Sequence, residues 1–492
     1  MPEPPGHGLD PAELAGLRAL GHRMLDTMFD HLASLAAGPV WRPMPPAVRA
    51  ELARPLAADQ PIDAETAWRR FQELVLPYHA GNAHPRFMGW VQGGGTALGM
   101  LAEMLAGGLN ANCGGRNHAA IAVERQVIAW AAAMLGLPEG AGGVLVTGSS
   151  IANFMAVLLA RNATLGAGAR AAGLGTVRLT AYAQEGAHRC VADALDMAGI
   201  GRANLRRVPL DAAFGIDPAA LAAAIAVDRA AGFTPFLVVG TAGSVDVGAV
   251  DDLAALAALC RRERLWFHVD AAFGAFLRLS PALAPLVAGI EAADSIAFDF
   301  HKWAQAPYDA GCLLARRESD LLAAFSAPAA YLDPAPRGLA AGAPWPCDLG
   351  PDLSRGFRAL KIWLGLQVHG TAAIADVVER SCAIARHLAA RIGAEPALEI
   401  LAPVALNIVC FRHRGTGSGP GEVDGLNAAI VADLQEAGIA APSLTTIGGA
   451  RAIRAAFVNH RTRREDADAL IDAVLAAARA RGAGQGSGPT QA

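Results

Sequence analysis

Two residues stand out by type alone. Of the chain's 41 basic residues only Lys302 and Lys361 are lysines, and all the others are arginines. A chain so biased towards arginine should keep lysine where arginine cannot act, and imine formation is one such place because a guanidinium stays protonated in proteins. Lys302 follows the apolar run Ser295–Phe298 between aromatic neighbours, which would desolvate its amine and favour the nucleophilic neutral form. The alternative is a lysine that extends to the surface. We expect Lys302 to be catalytic and Lys361 to be an exposed or ion-paired helix residue.

A carboxylate ends a second apolar run. Asp270 follows Leu265–Val269 directly. A carboxylate at the end of a buried strand can keep a pyridine nitrogen protonated, and that proton makes pyridoxal 5'-phosphate (PLP) an electron sink. The alternative is that Asp270 caps the next helix. The two runs together predict a site for PLP chemistry.

Other side chains at the ends of apolar runs fit such a site. Ser149 and Ser150 follow Gly143–Val146 and begin a helical stretch, where free N–H groups and hydroxyls can hold a phosphate, although serine is also an ordinary helix cap. His188 could lie over the cofactor ring or meet the substrate carboxylate, although a lone histidine is more often structural. Thr241 ends another run and could hydrogen-bond the cofactor.

The elements that must position these residues are short β-rich runs that alternate with Ala- and Leu-rich helical stretches. The runs are Gly143–Val146, Leu179–Tyr182, Phe236–Val239, Leu265–Val269, Ser295–Phe298 and Gly311–Leu314. This alternation predicts an α/β fold with a mainly parallel sheet covered by helices on both faces. Ligands in such a fold bind at the carboxyl ends of the strands, where the candidate residues lie.

The chain is long enough for more than one domain. We expect a helical N-terminal arm at residues 1–82, a large cofactor-binding domain at 83–370, a small α+β domain at 371–481 and a disordered polar tail at 482–492. A segment rich in Ala, Pro and Gly, at about 320–350, is expected to be a mobile loop of the large domain.

Composition excludes several classes of protein. A net charge of -4 and a pI near 6.4 leave no basic surplus for nucleic acid. No apolar stretch approaches the roughly twenty residues of a membrane span, and the first residues lack the features of a signal peptide. The seven cysteines form no Cys-x-x-Cys pair, which argues against disulfides and a zinc site. We expect a soluble cytoplasmic protein without a metal.

Taken together, His-Val-Asp-Ala-Ala at 268–272 and Ala-Asp-Ser-Ile-Ala-Phe-Asp-Phe-His-Lys-Trp at 293–303 closely resemble the group II PLP-dependent decarboxylases. That family includes the aromatic-L-amino-acid, histidine and glutamate decarboxylases, and the resemblance extends from about His84 to Gly370. It implies the aspartate aminotransferase-like fold, fold type I, with a seven-stranded central sheet. It also implies a homodimer with active sites at the subunit interface.

The resemblance implies roles for individual residues. Lys302 would hold PLP as an internal aldimine, Asp270 would pair with the pyridine nitrogen, and Ala272 would pack against the ring. His188 would stack on the ring, and His301 would meet both cofactor and substrate. The remaining cofactor contacts would come from Ser149, Ser150 and Thr241. Arg355 and Arg461 are further supporting candidates.

Tyr331 bears on the product. It lies in the segment that resembles the mobile catalytic loop of the aromatic decarboxylases, where a tyrosine is thought to protonate the quinonoid carbanion. A tyrosine there favours amine over aldehyde as the product. The alternative is a loop tyrosine without a role.

The substrate pocket is less well defined by sequence. Trp90 and Tyr308 would favour a flat side chain, although both could be core aromatics. The strip Asn110–His118 would reach the pocket from the partner subunit, with Asn112 as a substrate contact. Arg116 is the obvious cation in that strip for a glutamate substrate. We favour an aromatic L-amino acid.

Several positions depart from the family pattern. Asp299 replaces an asparagine that the aromatic members carry near the phosphate, and a carboxylate there would be unfavourable unless it is turned away or protonated. Ile151 and Asn153 replace the usual Glu and Thr, and Ala242 lacks a common hydroxyl. Alternatives therefore stay open: an oxidative deaminase that makes aldehyde, a glutamate decarboxylase, a transaminase, or a PLP-binding regulatory protein without turnover.

Overall fold

The computed structural model describes residues 9, 14–56, 60–166, 168–327, 333–415 and 419–485. The helices are α1 Leu14–Ser34, α2 Pro46–Leu52, α3 Ala64–Leu74, α4 Ala97–Leu109, α5 Ala119–Met134, α6 Ser149–Leu165, α7 Gly168–Ala172, α8 Cys190–Met197, α9 Pro218–Ala230, α10 Leu253–Glu263, α11 Glu318–Phe325, α12 Ala359–Gly393, α13 Pro420–Glu436 and α14 Arg464–Gln485. The strands are β1 Phe87–Met88, β2 Gly142–Val146, β3 Leu179–Gln184, β4 Leu205–Val208, β5 Thr234–Thr241, β6 Trp266–Asp270, β7 Ser295–Asp299, β8 Gly311–Ala315, β9 Leu398–Ile400, β10 Ile408–His413, β11 Ala441–Ile447 and β12 Ala450–Ala456.

The larger sheet has seven strands among the described residues, in the order β2-β8-β7-β6-β5-β3-β4. Only β8 runs antiparallel to its neighbours there, so the predicted mainly parallel α/β sheet is confirmed. Each of the six predicted runs forms a strand of this sheet. The seventh strand, β4, was missed because its sequence, Leu-Arg-Arg-Val, carries two arginines, as the edge strand of a sheet can.

The register of three adjacent parallel strands brings the candidate residues together. Thr241 at the end of β5 pairs with Asp270 at the end of β6. Asp270 in turn pairs with Ala297 of β7, two residues before that strand ends at Asp299. The carboxyl ends of these strands thus form one edge of the sheet, as predicted for a ligand site.

The second sheet has the order β1-β11-β12-β10-β9 among the described residues. Its strand β1 comes from residues that we had assigned to the large domain. The buried Phe87 and Met88 complete an edge beside Ala441 and Pro442. In the sequence, α12 comes between β8 of the larger sheet and β9 of the second sheet. It is broken at Gly370, which has a φ of 68°, a value that glycine adopts without steric cost.

The terminal segments pack as helices. In the segment after α1, Val40 donates its N–H to the Gly438 carbonyl at 2.9 Å. This bond links the N-terminal segment to the turn that follows α13. At the other end, α14 continues to Gln485, past residue 482 where we expected a disordered tail. The Ala- and Arg-rich sequence before Gly482 has high helix propensity and carries the helix through the glycine. Residues 486–492 lie outside the described residues.

No helix in the described ranges combines the length and the apolar character that crossing a bilayer requires. In the same part of the chain, no group of three or more His, Cys, Asp or Glu side chains is arranged to hold a metal ion.

Candidate active site

A cavity of about 480 Å³ opens at the carboxyl ends of β5, β6 and β7. Most residues that the sequence predicts for the site lie on its wall. They are Trp90, Ser149, Ser150, His188, Thr241, Asp270, Ala272, His301, Lys302 and Tyr308. Two predicted residues are not among them: Asn112 lines a different cavity, and Tyr331 lies outside the described residues.

Lys302 lies three residues beyond the end of β7, and its side chain is 18% exposed. Its Nζ is 2.9 Å from Oδ2 of Asp299. Behind it, Gly93 donates its N–H to the His301 carbonyl at 3.2 Å. A Cβ at Gly93 would stand 2.4 Å from the His301 oxygen and 2.5 Å from the Lys302 oxygen. Close backbone packing therefore fixes the chain at the lysine and requires glycine opposite it.

Lys361, the other lysine, belongs to a different environment. Its Nζ lies 2.5 Å from Oε1 of Glu103, and its side chain is 4% exposed. It is ion-paired, as expected, but buried rather than exposed. Lys302 is therefore the lysine that faces the cavity.

Asp270 is buried at the end of β6. Its Oδ1 accepts the N–H of Ala272 at 3.2 Å, which stabilises the turn after β6, but Asp270 does not cap the next helix, whose N-cap is Phe273. Burial raises the pKa of Asp270, whereas the charges of Lys302 and His188 lower it. A cation placed against this carboxylate from the cavity would favour its charged form in the same way.

Asp299 lies against the start of α6. Its Oδ1 accepts the N–H of Ser149 and its Oδ2 accepts the Ser149 hydroxyl, both at 2.7 Å. Although burial acts to raise it, the pKa of Asp299 is lowered by Lys302, His301 and the Ser149 hydroxyl. Asp299 thus caps the first turn of α6 as an anion, and whether it also faces the cofactor phosphate stays a prediction. Ser150 is exposed and lines the cavity.

Three further side chains take defined orientations at the cavity. His188 accepts the Cys190 N–H on Nδ1 at 3.2 Å, which leaves its Nε2 to carry the proton. His301 accepts the Ala310 N–H on Nδ1 at 3.0 Å, and burial lowers the pKa of His301 to about 4, so the ring is neutral near pH 7. Thr241 is held at the end of β5, where its N–H donates to the side-chain Oδ2 of the buried Asp251 and its carbonyl accepts the Asp251 N–H.

Aromatic rings form the outer wall. Trp90 is 57% exposed and Tyr308 is 49% exposed, so neither is a core aromatic in this chain. The rings of Tyr308 and His301 have centroids 4.3 Å apart. Among the described residues that line this cavity, Lys302 is the one lysine or arginine side chain. The wall therefore suits a flat, uncharged side chain better than a carboxylate.

The strip that contains Asn112 faces a neighbouring cavity of about 770 Å³. Asn112 Oδ1 accepts the N–H groups of Gly114 and Arg355 at 2.9 and 3.1 Å. Arg116 lies 4.9 Å above the ring of Trp345. Within one chain, neither side chain reaches the wall that carries Lys302.

The two supporting arginines have structural contacts. Arg355 forms a buried ion pair with Glu124, with an N–O distance of 2.5 Å, and also donates to the carbonyls of Cys113 and Leu145. Arg461 donates to the Gly94 carbonyl at 3.1 Å. Neither lines the cavity, so both act on the architecture around it.

Sequence reasoning missed two contributors. Asp251 receives the N–H groups of Thr241 and Ile216 and the amide of Gln184. Asn153, noted only as a departure from the family pattern, donates to Asp270 at 3.2 Å. The available signal was its position four residues after Ser149, which places both on one face of α6.

The comparisons with known proteins agree with this arrangement. Residues 50–414 match the family model described as the pyridoxal-dependent decarboxylase conserved domain. An aromatic-L-amino-acid decarboxylase of Bacillus atrophaeus is 30% identical over 458 residues, which are 92% of this chain and 93% of that protein. A tyrosine decarboxylase of Oryza sativa subsp. japonica is 31% identical over 471 residues, 89% and 86% of the two chains.

Solved structures agree as well. The crystal structure of Oryza sativa TDC with PLP and tryptamine superposes with a TM-score of 0.88 at 25% identity. The match covers 96% of this chain and 100% of that one. The similarity therefore extends over both sheets.

Proposed function

Since this chain belongs to the pyridoxal-dependent decarboxylase family, with PLP as its cofactor and amino-acid decarboxylation as its reaction, we propose that it converts an aromatic L-amino acid to the amine and CO2. The observation that carries the proposal is one cavity that holds Lys302, Asp270 and the start of α6 together. These supply an amine for the cofactor aldehyde, a carboxylate for its pyridine nitrogen and N–H donors for its phosphate. The residues present fit PLP.

Each residue has a proposed task towards the cofactor. Lys302 would hold it covalently, and Asp270 would keep a proton on the pyridine nitrogen. Ser150, with its N–H and hydroxyl at the start of α6, would bind the phosphate, and Ser149 would join it by exchanging a hydrogen bond to Asp299 for one to the phosphate. Bound PLP supplies an electron sink for the charge left on Cα when CO2 departs.

The other cavity residues would orient and protect the reacting groups. His188 and Ala272 would flank the cofactor ring, and Thr241 would hydrogen-bond the cofactor. The neutral His301 would face the substrate. Tyr331, outside the described residues, is our proposed donor of a proton to Cα, and protonation there would favour the amine over the aldehyde as the product.

The aromatic preference rests on the outer wall. Trp90 and Tyr308 offer exposed rings for stacking. On the wall that one chain supplies, a glutamate substrate would leave its side-chain carboxylate facing rings rather than a cation, with a large desolvation penalty. The names of the relatives, aromatic-L-amino-acid and tyrosine decarboxylases, support the same class.

We also propose the fold type I assignment, the division into arm, large and small domains, and a homodimer. In the described part of one chain, Asn112 and Lys302 lie in different cavities, so Asn112 reaches a substrate only if a second copy supplies it. The nearby helix α4 exposes Met104, Leu105 and Leu109, an apolar face that a partner would cover.

Because the chain has only two lysines, a covalent label can show which of them holds the cofactor. We would reduce the PLP-loaded enzyme with borohydride and map the modified peptide. We expect the pyridoxyl group on Lys302, because Lys361 is buried against Glu103. Lys302→Ala should lose both the label and amine formation, whereas Lys361→Arg, the matched control, should keep both. A label on Lys361, or full turnover by Lys302→Ala, would overturn the assignment.

A substrate panel tests the rest. Purified enzyme would be given L-Trp, L-Tyr, L-Phe, L-His and L-Glu, with amine, aldehyde and peroxide measured. We expect amine from an aromatic substrate and none from L-Glu. Aldehyde with peroxide from the unmodified enzyme would contradict the proposed role of Tyr331, whereas Tyr331→Phe should shift the product in that direction.

A further inference from the structure

A line of buried hydrogen bonds runs from Asp270 into the protein. Asn153 Nδ2 lies 3.2 Å from Asp270 Oδ2, and Asn153 Oδ1 lies 2.8 Å from His268 Nε2. His268 Nδ1 is 2.9 Å from the Ser295 hydroxyl, which accepts the indole N–H of Trp266 at 2.9 Å. All five side chains are buried. Each polar atom in this line therefore depends on protein partners.

At the inner end, the chemistry of Trp266 fixes the direction of the first bond and permits the second. An indole N–H can only donate, so the Ser295 hydroxyl accepts from Trp266 and can give its own hydrogen to His268 Nδ1. The opposite tautomer of His268 would donate to the Ser295 carbonyl at 3.1 Å. That tautomer would leave lone pairs facing each other across the 2.8 Å between His268 Nε2 and Asn153 Oδ1.

The outer end agrees with this direction. Asn153 Nδ2 also lies 2.8 Å from the Ser149 carbonyl, which can only accept, so the amino group of Asn153 must be on that side. Its Oδ1 then faces His268, which must carry its proton on Nε2. Burial lowers the pKa of His268 to about 3, so the ring stays neutral and the direction holds near pH 7. Asn153 is thereby fixed as a donor to Asp270.

We propose that Asn153 is a positioning residue that holds Asp270 as an oriented carboxylate for the pyridine nitrogen, and that His268 locks the amide in the required orientation. This inference rests on the role proposed above for Asp270. An N–H donor stabilises the charged form of a carboxyl group over the neutral form. With Ala272 donating to Oδ1 at 3.2 Å and Asn153 to Oδ2, both oxygens are held.

A purely structural role would explain fewer contacts. A helical asparagine that bonds only the carbonyl four residues earlier is a local helix feature, and Asn153 has that bond to Ser149. It does not account for the bonds to Asp270 and His268, which join α6 to β6. Asn162 on the same helix is also buried but lies away from the cavity, and it serves as the matched control.

The test compares Asn153→Leu, Asn153→Asp and Asn162→Leu as PLP-loaded enzymes, with the PLP ring nitrogen labelled with ¹⁵N. We expect a protonated pyridine nitrogen in the unsubstituted enzyme and in Asn162→Leu. In Asn153→Leu the nitrogen should lose its proton at a lower pH, and kcat should fall roughly 10- to 100-fold with little change in KM, as expected for one lost hydrogen bond to a charged group. The isosteric Asn153→Asp should act similarly, because two adjacent carboxyl groups would share a proton.

His268 provides an independent variant if substitution at 153 impairs folding. His268→Leu should reproduce the loss of the pyridine proton, and His268→Gln, which keeps an amide donor, should restore it in part. Protonation and kcat that stay at the Asn162→Leu level in all these variants would overturn the inference. Failure of the proposed function would look different, because the unsubstituted enzyme would then lack the Lys302 label or amine formation.

Discussion

The carboxylate of Asp299 receives both the N–H and the hydroxyl of Ser149 at 2.7 Å, so a side chain from the end of β7 caps the first turn of α6. Its third partner is Lys302, at 2.9 Å. The start of α6, the end of β7 and the proposed catalytic lysine are thus joined by one anion. In the cofactor-free protein, Asp299 therefore holds the start of α6 and the segment that carries Lys302 together.

The stability of the cofactor-free protein should depend on this anion. Because the pKa of Asp299 is lowered from 3.8, its contribution is fully present above that value and is lost as the pH falls through the folded-state pKa. At pH 7, Asp299→Asn should reduce the free energy of unfolding by about 1–3 kcal/mol. In urea unfolding, the difference in the free energy of unfolding between the two proteins should become smaller below about pH 4. The same difference at every pH would contradict this prediction. Asp472→Asn, at an exposed position, is the control.

The buried ion pair of Arg355 and Glu124 should be costly to break from one side. Both side chains are at most 3% exposed, so Arg355→Met leaves an uncompensated buried carboxylate. We expect a loss of about 3–5 kcal/mol in the free energy of unfolding, with partial recovery in Arg355→Met/Glu124→Gln. The exposed pair Arg380 and Asp376 should contribute less than about 1 kcal/mol. Similar losses at both pairs, measured by chemical denaturation, would refute this.

Acid should release the N-terminal arm. His84 accepts the Arg86 N–H on Nδ1 and donates from Nε2 to the Gly38 carbonyl at 3.2 Å. Burial and, to a smaller extent, the charge of Arg86 lower the pKa of His84 from 6.5 to about 4. The stabilisation that the neutral His84 gives to the folded state is therefore complete above pH 6.5 and is lost as the pH falls through about 4. A proton on Nδ1 would oppose the Arg86 N–H.

Hydrogen exchange of residues 14–34 at pH 7 and pH 5 would test this. Protection should fall at the lower pH in the unsubstituted protein, after correction for intrinsic exchange. His84→Gln should make the protection less dependent on pH, whereas the exposed His22→Gln on α1 should leave the dependence unchanged. A His84→Gln protein with the original pH dependence would rule the explanation out.

Gly93 should not tolerate a methyl group. Because its Cβ would lie within 2.5 Å of two carbonyl oxygens beside Lys302, Gly93→Ala must displace the backbone at the lysine. We expect weaker PLP binding, by roughly tenfold or more, since a shift of about 1 Å at such a site has large effects. Absorbance titration with PLP would measure it. Gly425→Ala, in open space on α13, should bind PLP normally.

Much of the large sheet could be predicted because its strands are short buried apolar runs. The pattern failed where tertiary context decides. β4 carries arginines at a sheet edge, and β1 consists of two residues that become a strand only beside Ala441. Neither has a local signal strong enough to distinguish it from a loop.

The site residues also divide into those that a local sequence pattern predicts and those that only the fold brings together. Lys302 and Asp270 could be predicted because residue type and position after a buried run are both visible in sequence. The hydrogen bond from Ser149 to Asp299 joins residues that are 150 positions apart in the sequence. The bond from Asn153 to Asp270 joins residues that are 117 positions apart. Such pairings depend on how α6 lies against the sheet, which no local pattern encodes. The separation of Asn112 from Lys302 likewise follows from the fold.

The pairing of Thr241 with Asp270 and of Asp270 with Ala297 also bears on how such an enzyme can diversify. The groups that we propose to hold the cofactor stand on or next to strand ends, whose spacing is set by the hydrogen-bond ladder of the sheet. Trp90 and Tyr308 lie outside the strands, in segments that accept substitution more readily. Descendants of this chain could therefore change which amino acid they accept while inheriting the same bond-breaking chemistry.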